Sequence, residues 1–439
     1  FLIVNTVKEI RVNHFTVTCI SSFLNVTTLD NLNNIDTEFL CKIVVTVIVC
    51  RNSHNSTCTV THHNIVRYVN RNFLTVYGVD CCNTVKTDAG LVLVQLAALE
   101  VGLAGGLVTV GSHFVPVLDL VFPFFLFCVG VSMAFTLAKH ASLSDALGKI
   151  LKRGVLMYLL GVAILAFPFF PAREAMEPSL NFRQNWMVWA EGVRLTSVLS
   201  RIALCYILGS VLVLWLRKPV RLCAAIAVLC ALHVGLLLIF AGPEGAFTLE
   251  GNFARRLDIA IFGESHIYHG YGVPFDPEGL LGVLTGTCTA LLGYLAGTFV
   301  RNGVSGSALR NLFIMSTISL ALGLVFNIWI PINKPLWSVS YVFYTAGWAM
   351  FVMAFLMYLI DIKGVIKPFF PFQALGMNPL AMFVLSGLVA KSLPRFLHWD
   401  SAAVFGANEW MSLLYAVLFM LFHLLIAVFL YKKKIFIKL

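Results

Sequence analysis

Charged and amide side chains stand inside or beside long apolar runs, and their types are those that proton and acyl transfer use. His113 precedes Asp119 by six residues; an imidazole there serves as a general base or, more plainly, as an interfacial anchor. Asp276-Pro277-Glu278 sets two carboxyls at the end of a loop. Asn333-Lys334 puts an amide and an ammonium after an apolar run, and Arg201 places a guanidinium near the start of another. Asn378-Pro379 interrupts a further run, where proline frees a backbone carbonyl and asparagine can cap a new helix start.

Each group also has a plainer reading. Asp276, Pro277 and Glu278 suit a helix N-cap, a first-turn proline and an acid at the positive helix end. His266 and His269 are three apart and can share a helical face, yet no third ligand is near in sequence, so a metal centre is not expected. Histidines satisfied locally among interfacial aromatics account for them as well. For the polar groups within apolar runs, hydrogen bonding between helices competes with a functional role. No CxxC occurs, and the cysteines from Cys128 onward sit in apolar runs, as small buried hydrophobes do.

The elements that must position these residues are membrane helices. Of the 439 residues, 59% are hydrophobic and only 12% charged, with a mean hydropathy of +0.87. Soluble domains carry roughly 25% charged residues, so the expected fold is all-α, a polytopic transmembrane bundle of about ten helices. Apolar runs at about 89–111, 117–138, 154–171, 196–216, 222–241, 279–300, 311–331, 337–360, 371–390 and 410–431 are each near the length that crosses ~30 Å of hydrocarbon. The net charge of +10 comes largely from lysines and arginines flanking these runs, which argues against a nucleic-acid partner and for contact with membrane lipid.

Short basic connections (Lys139 to Arg153, Arg217 to Arg221, Arg301 to Arg310, Lys363 and Lys367, Lys432 to Lys438) alternate with longer mixed ones. The positive-inside rule then places the basic loops and the C-terminus in the cytoplasm. On this reading the polar residues gather at the extracytoplasmic ends of several helices and outline a wet vestibule. Arg183, Arg194, Arg255 and Arg256 lie on that outer side, where they could meet an anionic glycan or anchor at the interface. Residues 1–88 differ from the rest: rich in Asn, Val and Thr, without sustained helical or strand periodicity. We expect them to be a fragment boundary or mis-translated stretch, poorly ordered and separate from a transmembrane domain over 89–439.

Several stretches, taken together, resemble the heparan-α-glucosaminide N-acetyltransferase family. They are Leu118-Asp-Leu-Val-Phe-Pro-Phe-Phe-Leu-Phe-Cys-Val-Gly; Val193-Arg-Leu-Thr-Ser-Val-Leu-Ser-Arg-Ile-Ala-Leu-Cys-Tyr; Phe275-Asp-Pro-Glu-Gly-Leu-Leu-Gly with Leu292-Gly-Tyr-Leu-Ala-Gly; Pro331-Ile-Asn-Lys-Pro-Leu-Trp-Ser-Val-Ser-Tyr; and Gly376-Met-Asn-Pro-Leu. The resemblance runs over about 117–431 and implies a membrane acetyltransferase that carries acetyl from cytoplasmic acetyl-CoA to an amino-sugar amine on the far side, with no metal. It implies His113 as the base, because the family's histidine precedes the Asp-Leu-Val-Phe-Pro motif. Asp119, Asn333 and Lys334 complete the candidate catalytic set, and Asp276, Glu278, His266, His269, Arg201 and Asn378 form the candidate substrate-binding set.

Two features depart from the family pattern. The family's His-Ala-x-Trp-x-Gly-like run lies about ten residues before the aspartate, and its early Leu-Asp-x-Leu-Arg-Gly segment is not recognisable here. A chain in which that segment had been replaced would be inactive as written. The compact design is more similar to bacterial relatives, which implies the bacterial cytoplasmic membrane, the lysosomal membrane being the alternative; a homo-oligomer is left open. A transporter or flippase for a sugar-linked or amphipathic substrate is the competing reading, since broken helices and buried polar groups serve transport equally. An acyltransferase acting on a surface polysaccharide is another.

Overall fold

The computed structural model describes residues 8–12, 15–19, 117–171, 176–396 and 409–437. The chain divides into two compact units, Phe1–Gly78 and Val79–Leu439. In the first, strand β1 (Lys8–Val12) pairs antiparallel with β2 (Phe15–Cys19), Lys8 facing Cys19 and Val12 facing Phe15. The sequence reading anticipated no strand there; β-branched Thr16, Val17 and Thr18 favour one over a length too short to show as a sustained period.

Among the described residues the regular elements of the second unit are all helices. A 3-10 turn, Val117–Leu120, leads into α1 (Val121–Thr136). There follow α2 (Leu143–Ala166), α3 (Phe182–Glu191), α4 (Val198–Leu216), α5 (Pro219–Ile239), α6 (Phe253–Phe262), α7 (Gly282–Val300), α8 (Gly306–Phe326) and α9 (Val339–Met357). The short α10 (Phe370–Gly376), then α11 (Pro379–Phe396) and α12 (Glu409–Lys432) complete it. Local chemistry explains most starts. Ser142 and Asn181 form capping boxes with Asp145 and Gln184; Ser197, Asn252, Ser305 and Ser338 each accept from the backbone N–H three residues on; Pro219 opens α5.

Among the described residues seven helices are long and apolar enough to cross a membrane, and an eighth span exists if the bent pair Lys367–Gly376 and Pro379–Leu393 is counted as one. The chain is therefore a multi-pass integral membrane protein, though the expected number of about ten is not reached among the described residues. The run at 89–111 lies outside them. The run at 154–171 is instead the second half of α2, whose first half carries Asp145, Lys149, Lys152 and Arg153. The two long mixed loops are not bare connections: capping asparagines and amphipathic ten-residue stretches make α3 and α6 inside them.

At the centre, α7 lies against α1 with backbones nearly in contact. A Cβ on Gly130 would stand 1.8 Å from the Ala290 carbonyl oxygen, and one on Gly293 would stand 2.1 Å from that of Phe127. Small residues drive association where lipid is as apolar as the side chains. Helices α8 and α9 are joined differently, Ser316 and Ser319 each donating at 2.8 Å to the carbonyls of Gly347 and Phe343. Outward faces are apolar, with Val220, Val228 and Ile239 on α5 and Leu425 on α12 exposed as lipid-facing residues are. Cys128, Cys205, Cys230 and Cys288 are buried as expected, whereas Cys223 is exposed on α5.

The break at Asn378-Pro379 is present, with a bend of 74°. Its role corrects one expectation. The Asn378 amide donates to the Ile435 carbonyl at 3.0 Å and accepts from the Ile437 N–H at 2.8 Å, so it clamps the chain just past α12, beside Lys432 to Lys434. It stands with the basic ends and not with the other polar candidates.

Candidate functional site

Helices α4, α7 and α9 all begin at one end of the bundle and close at Arg217, Arg301 and Lys363 at the other. The segments that precede these three starts carry most of the candidate residues. Arg194, three residues before the Ser197 cap, donates from Nε to Asp276 Oδ2 at 2.8 Å and from Nη2 to Asp276 Oδ1 at 2.6 Å. The same Nη2 reaches Glu278 Oε2. Thr196 Oγ1 and the Tyr268 N–H also donate to Asp276 Oδ2, and the Glu278 N–H donates to Oδ1 at 2.9 Å. Tyr268 covers the Arg194 guanidinium at 4.9 Å.

Asp276 is therefore not a helix cap. Helix α7 starts six residues later, at Gly282, without a side-chain cap, because both oxygens of Asp276 are engaged by Arg194 and its neighbours. Burial alone would raise its pKa, but Arg194 by hydrogen bond and charge, with Thr196, holds it below the usual carboxylate range. For Arg194 burial acts downward, and Asp276 with Glu278 more than reverses it. Arg194, read from sequence as able to meet an anionic glycan or anchor at the interface, instead pairs with Asp276 and Glu278.

The next layer is built around Arg201, one turn into α4 and 1% exposed. Its Nη2 donates to the Gly279 carbonyl at 3.1 Å, and its guanidinium lies 5.1 Å from the Trp337 ring. Its Nε and Nη1 have no hydrogen-bond partner. Asp258 of α6, wholly buried, accepts from the Leu280 N–H through Oδ1 at 2.9 Å, and its Oδ2 is unpartnered. His233 of α5 faces the Leu336 carbonyl through Nε2 at 3.2 Å, and its Nδ1 is unpartnered. Buried polar atoms left without partners are uncommon and gather where a ligand, water or reaction uses them.

Asp258, His233 and Trp337 are not among the site residues read from sequence; Trp337 stands only as part of the Asn-Lys-Pro-Leu-Trp motif, and the signal for Asp258 is an acid within the apolar α6 run Leu257-Asp-Ile-Ala-Ile. Burial, reinforced by the Asp276 charge and opposed by Leu280 N–H and Arg201, pushes the Asp258 carboxyl up to about 7. A carboxyl raised in the native state keeps its proton where the unfolded chain has lost it. Stability therefore falls as pH rises from about 4 to about 7 and then levels. Asp258→Asn should remove that loss, roughly 2–4 kcal/mol; thermal unfolding should show the variant above wild type at pH 8 and level with it near pH 4.

The third layer comes from the turns before α1 and α9. Lys334 Nζ binds Asp119 Oδ1 at 2.8 Å, and the Tyr341 hydroxyl donates to the Asp119 carbonyl. Trp337 sits at φ +51°, a left-handed conformation rare for a bulky side chain. It is held there by Nε1 donating to Thr289 Oγ1 at 3.2 Å and by edge contacts with Phe122 and Tyr341. Asn333 shapes the same turn: its Oδ1 accepts from Leu336 N–H at 2.9 Å, and its N–H donates to Ser338 Oγ at 3.0 Å. Trp337 touches both Arg201 and Phe122, and Tyr271 lies within electrostatic reach of both Glu278 and Asp119. The layers form one contiguous polar cluster.

Asp119, Arg201, Asp276, Glu278, Asn333 and Lys334 thus come together, while Asn378 does not. His266 lies at the end of a 3-10 turn with Nδ1 against the Val193 carbonyl at 2.7 Å, and His269 lies in the loop with Nδ1 against Ile267 O at 3.1 Å. They share no helical face; backbone carbonyls occupy them beside the cluster. His113 lies outside the described residues. Among the described residues no group of three or more His, Cys, Asp or Glu side chains is placed to hold a metal ion.

No family model matches the chain. Among curated proteins it is similar to the heparan-alpha-glucosaminide N-acetyltransferase of Mus musculus, 29% identical over 413 residues, covering 81% of this chain and 60% of that protein. Similarity to the Homo sapiens heparan-alpha-glucosaminide N-acetyltransferase is 28% over 414 residues, covering 81% and 59%. The chain spans about three fifths of the length of these relatives. By identity over most of its own length, this multi-pass membrane protein is a distant relative of the heparan-alpha-glucosaminide N-acetyltransferases.

Proposed function

We propose that the chain is a membrane acetyltransferase that takes acetyl from cytoplasmic acetyl-CoA and delivers it to the amine of an amino sugar on the opposite side. The observation that carries this reading is the joining of the Arg194–Asp276–Glu278 and Lys334–Asp119 groups through Arg201 and Trp337 at the starts of α4, α7 and α9. The distant relationship to named N-acetyltransferases supports it. Attack by an amine on a thioester needs a free amine, donors for the tetrahedral oxyanion and a route for the thiolate.

In this reading His113 accepts the proton from the attacking nitrogen and returns it to the departing thiolate. Lys334, oriented by Asp119, and the Asn333 amide supply donors for the oxyanion. Asp276, ionised and engaged by Arg194, fixes Glu278, which binds Arg194 through Oε2 and turns Oε1 to the acceptor amine. Arg217, Arg301 and Lys363, where the same helices close, stand at the end that would meet the phosphates of acetyl-CoA.

The test uses the full chain in proteoliposomes, labelled acetyl-CoA on one side and glucosamine or its oligomers on the other. Acceptor-dependent thioester consumption is expected, with His113→Ala lowering kcat by about 10²–10⁴-fold. Unchanged turnover in that variant eliminates His113 as the base. Accumulation of acceptor without acetyl-CoA, and no thioester consumption, would replace the enzyme reading with transport.

A further inference from the structure

We propose that Asp258 sets the charge of the acceptor site: ionised, it gives the buried cluster the net negative charge that holds a cationic amine, and protonated, it releases that hold. The proposal deepens the reading of this cluster as an acceptor site and rests on it. It concerns a residue that makes no contact with an acceptor and acts through the field at the site.

The cluster holds two guanidiniums and three carboxyls: Arg201 lies within electrostatic reach of Asp258, Asp276 and Glu278, Arg194 of Asp276 and Glu278, and Asp258 of Asp276 as well. The Lys334–Asp119 pair beside them is neutral as a unit. With every carboxyl ionised the five groups carry one uncompensated negative charge; with one protonated they balance. Asp276 cannot be the one that takes the proton, since Arg194, Thr196 and two backbone N–H groups bind its carboxylate form. Glu278 is paired with Arg194. Asp258 has only the Leu280 N–H on one oxygen, while its Oδ2 is buried and bare.

The surrounding elements leave Asp258 as the variable group. Arg201 on α4 faces it with Nε and Nη1 unpartnered, so it is not locked into an ion pair. His233 on α5 is turned to the Leu336 carbonyl. On α6 itself Arg255 donates to the Pro274 carbonyl at 2.8 Å and Arg256 is exposed. In the turn after α6, Glu264 is exposed and His266 is held by Val193 O. The packing is specific: a Cβ on Gly279 would lie 1.7 Å from Asp258 Oδ2, so the glycine of the Asp-Pro-Glu-Gly motif makes the space that the carboxyl fills. The pKa near 7 agrees with a group that changes charge in the physiological range. A cation entering the ionised cluster completes its balance, and a neutral sugar gains nothing from the same change.

The experiment measures binding, without acetyl-CoA, to the full chain in nanodiscs by calorimetry at pH 5.5 and 8.5. The probes are 2-aminoethyl glucoside, whose single amine is cationic at pH 5.5 and largely so at 8.5, and neutral N-acetylglucosamine. Wild type should bind the cation about tenfold more tightly at pH 8.5 than at 5.5, the scale of one partly screened charge contact, and the neutral sugar equally at both. Asp258→Asn should bind the cation at pH 8.5 as weakly as wild type does at 5.5, and Asp258→Glu should restore the pH dependence. An Asp258→Asn protein that keeps the tenfold change overturns the proposal while leaving the acceptor site standing. Wild type that binds neither probe at either pH overturns the acceptor reading and the proposal with it.

Discussion

Arg194→Ala should cost about 3–5 kcal/mol of stability at pH 7, the penalty for leaving a buried carboxylate without its partner. The Asp276 side chain is wholly inaccessible and takes two of its hydrogen bonds from Arg194, at 2.8 and 2.6 Å. Removing the guanidinium leaves Thr196 and backbone N–H groups to hold the full charge. The pH dependence identifies the cause. Asp276 is held below its ordinary range in the native state, so its pairing stabilises above the unfolded value near 4 and is lost as pH falls through the lower native value. The variant's deficit should therefore be largest at neutral pH and shrink on acidification, read from thermal unfolding in detergent at pH 7 and in steps from pH 4 down to pH 2. Arg194→Lys should recover only part, because an ammonium cannot reproduce parallel bonds from Nε and Nη2 while also reaching Glu278. A deficit independent of pH would remove the ion pair as the explanation.

Gly130→Val should prevent recovery of folded protein. The added Cβ would fall 1.8 Å from the Ala290 carbonyl oxygen and 2.9 Å from the Tyr294 nitrogen, both backbone atoms that no rotamer change can clear. Helix α1 would have to move off α7, breaking the reciprocal approach of Gly293 to Phe127. Overpacking a core commonly costs about 1–3 kcal/mol; separating two backbones along a helix pair exceeds that range. Gly148→Ala in α2 is the control, since nothing lies within 4 Å of its added methyl, and helix propensity favours the change by about 1 kcal/mol. Size-exclusion profiles of both variants after extraction distinguish the outcomes. A monodisperse Gly130→Val protein of wild-type stability would contradict the close α1–α7 crossing.

The shift of Asp276 from expected helix cap to ion-pair partner shows where local reading stops. Asp-Pro-Glu before an apolar run is a sound capping pattern, and only the distant Arg194 in the chain displaces it. The apparent pairing of His266 with His269 fails for the related reason that neither lies in a helix long enough to align them. From the sequence, Asp119, Arg201, Asn333, Lys334 and Asn378 stand at helix ends on one side of an alternating pattern; the structure gathers the first four with Asp276 and Glu278. Asn378 follows the opposite course: the break was legible from Asn-Pro, but its partners, Ile435 and Ile437, were not.

By itself the sequence determined what lipid as a solvent demands: apolar runs of spanning length, basic flanks, capping residues at Ser142, Ser197, Ser305 and Ser338, and the interruption at Asn378-Pro379. The tertiary structure alone decided which faces meet. A membrane helix is apolar all round, so its pattern carries little record of the side that turns inward. The places of Asp258, His233 and Trp337 around Arg201, and of Gly130 against Ala290, depend on how those helices are rotated against one another.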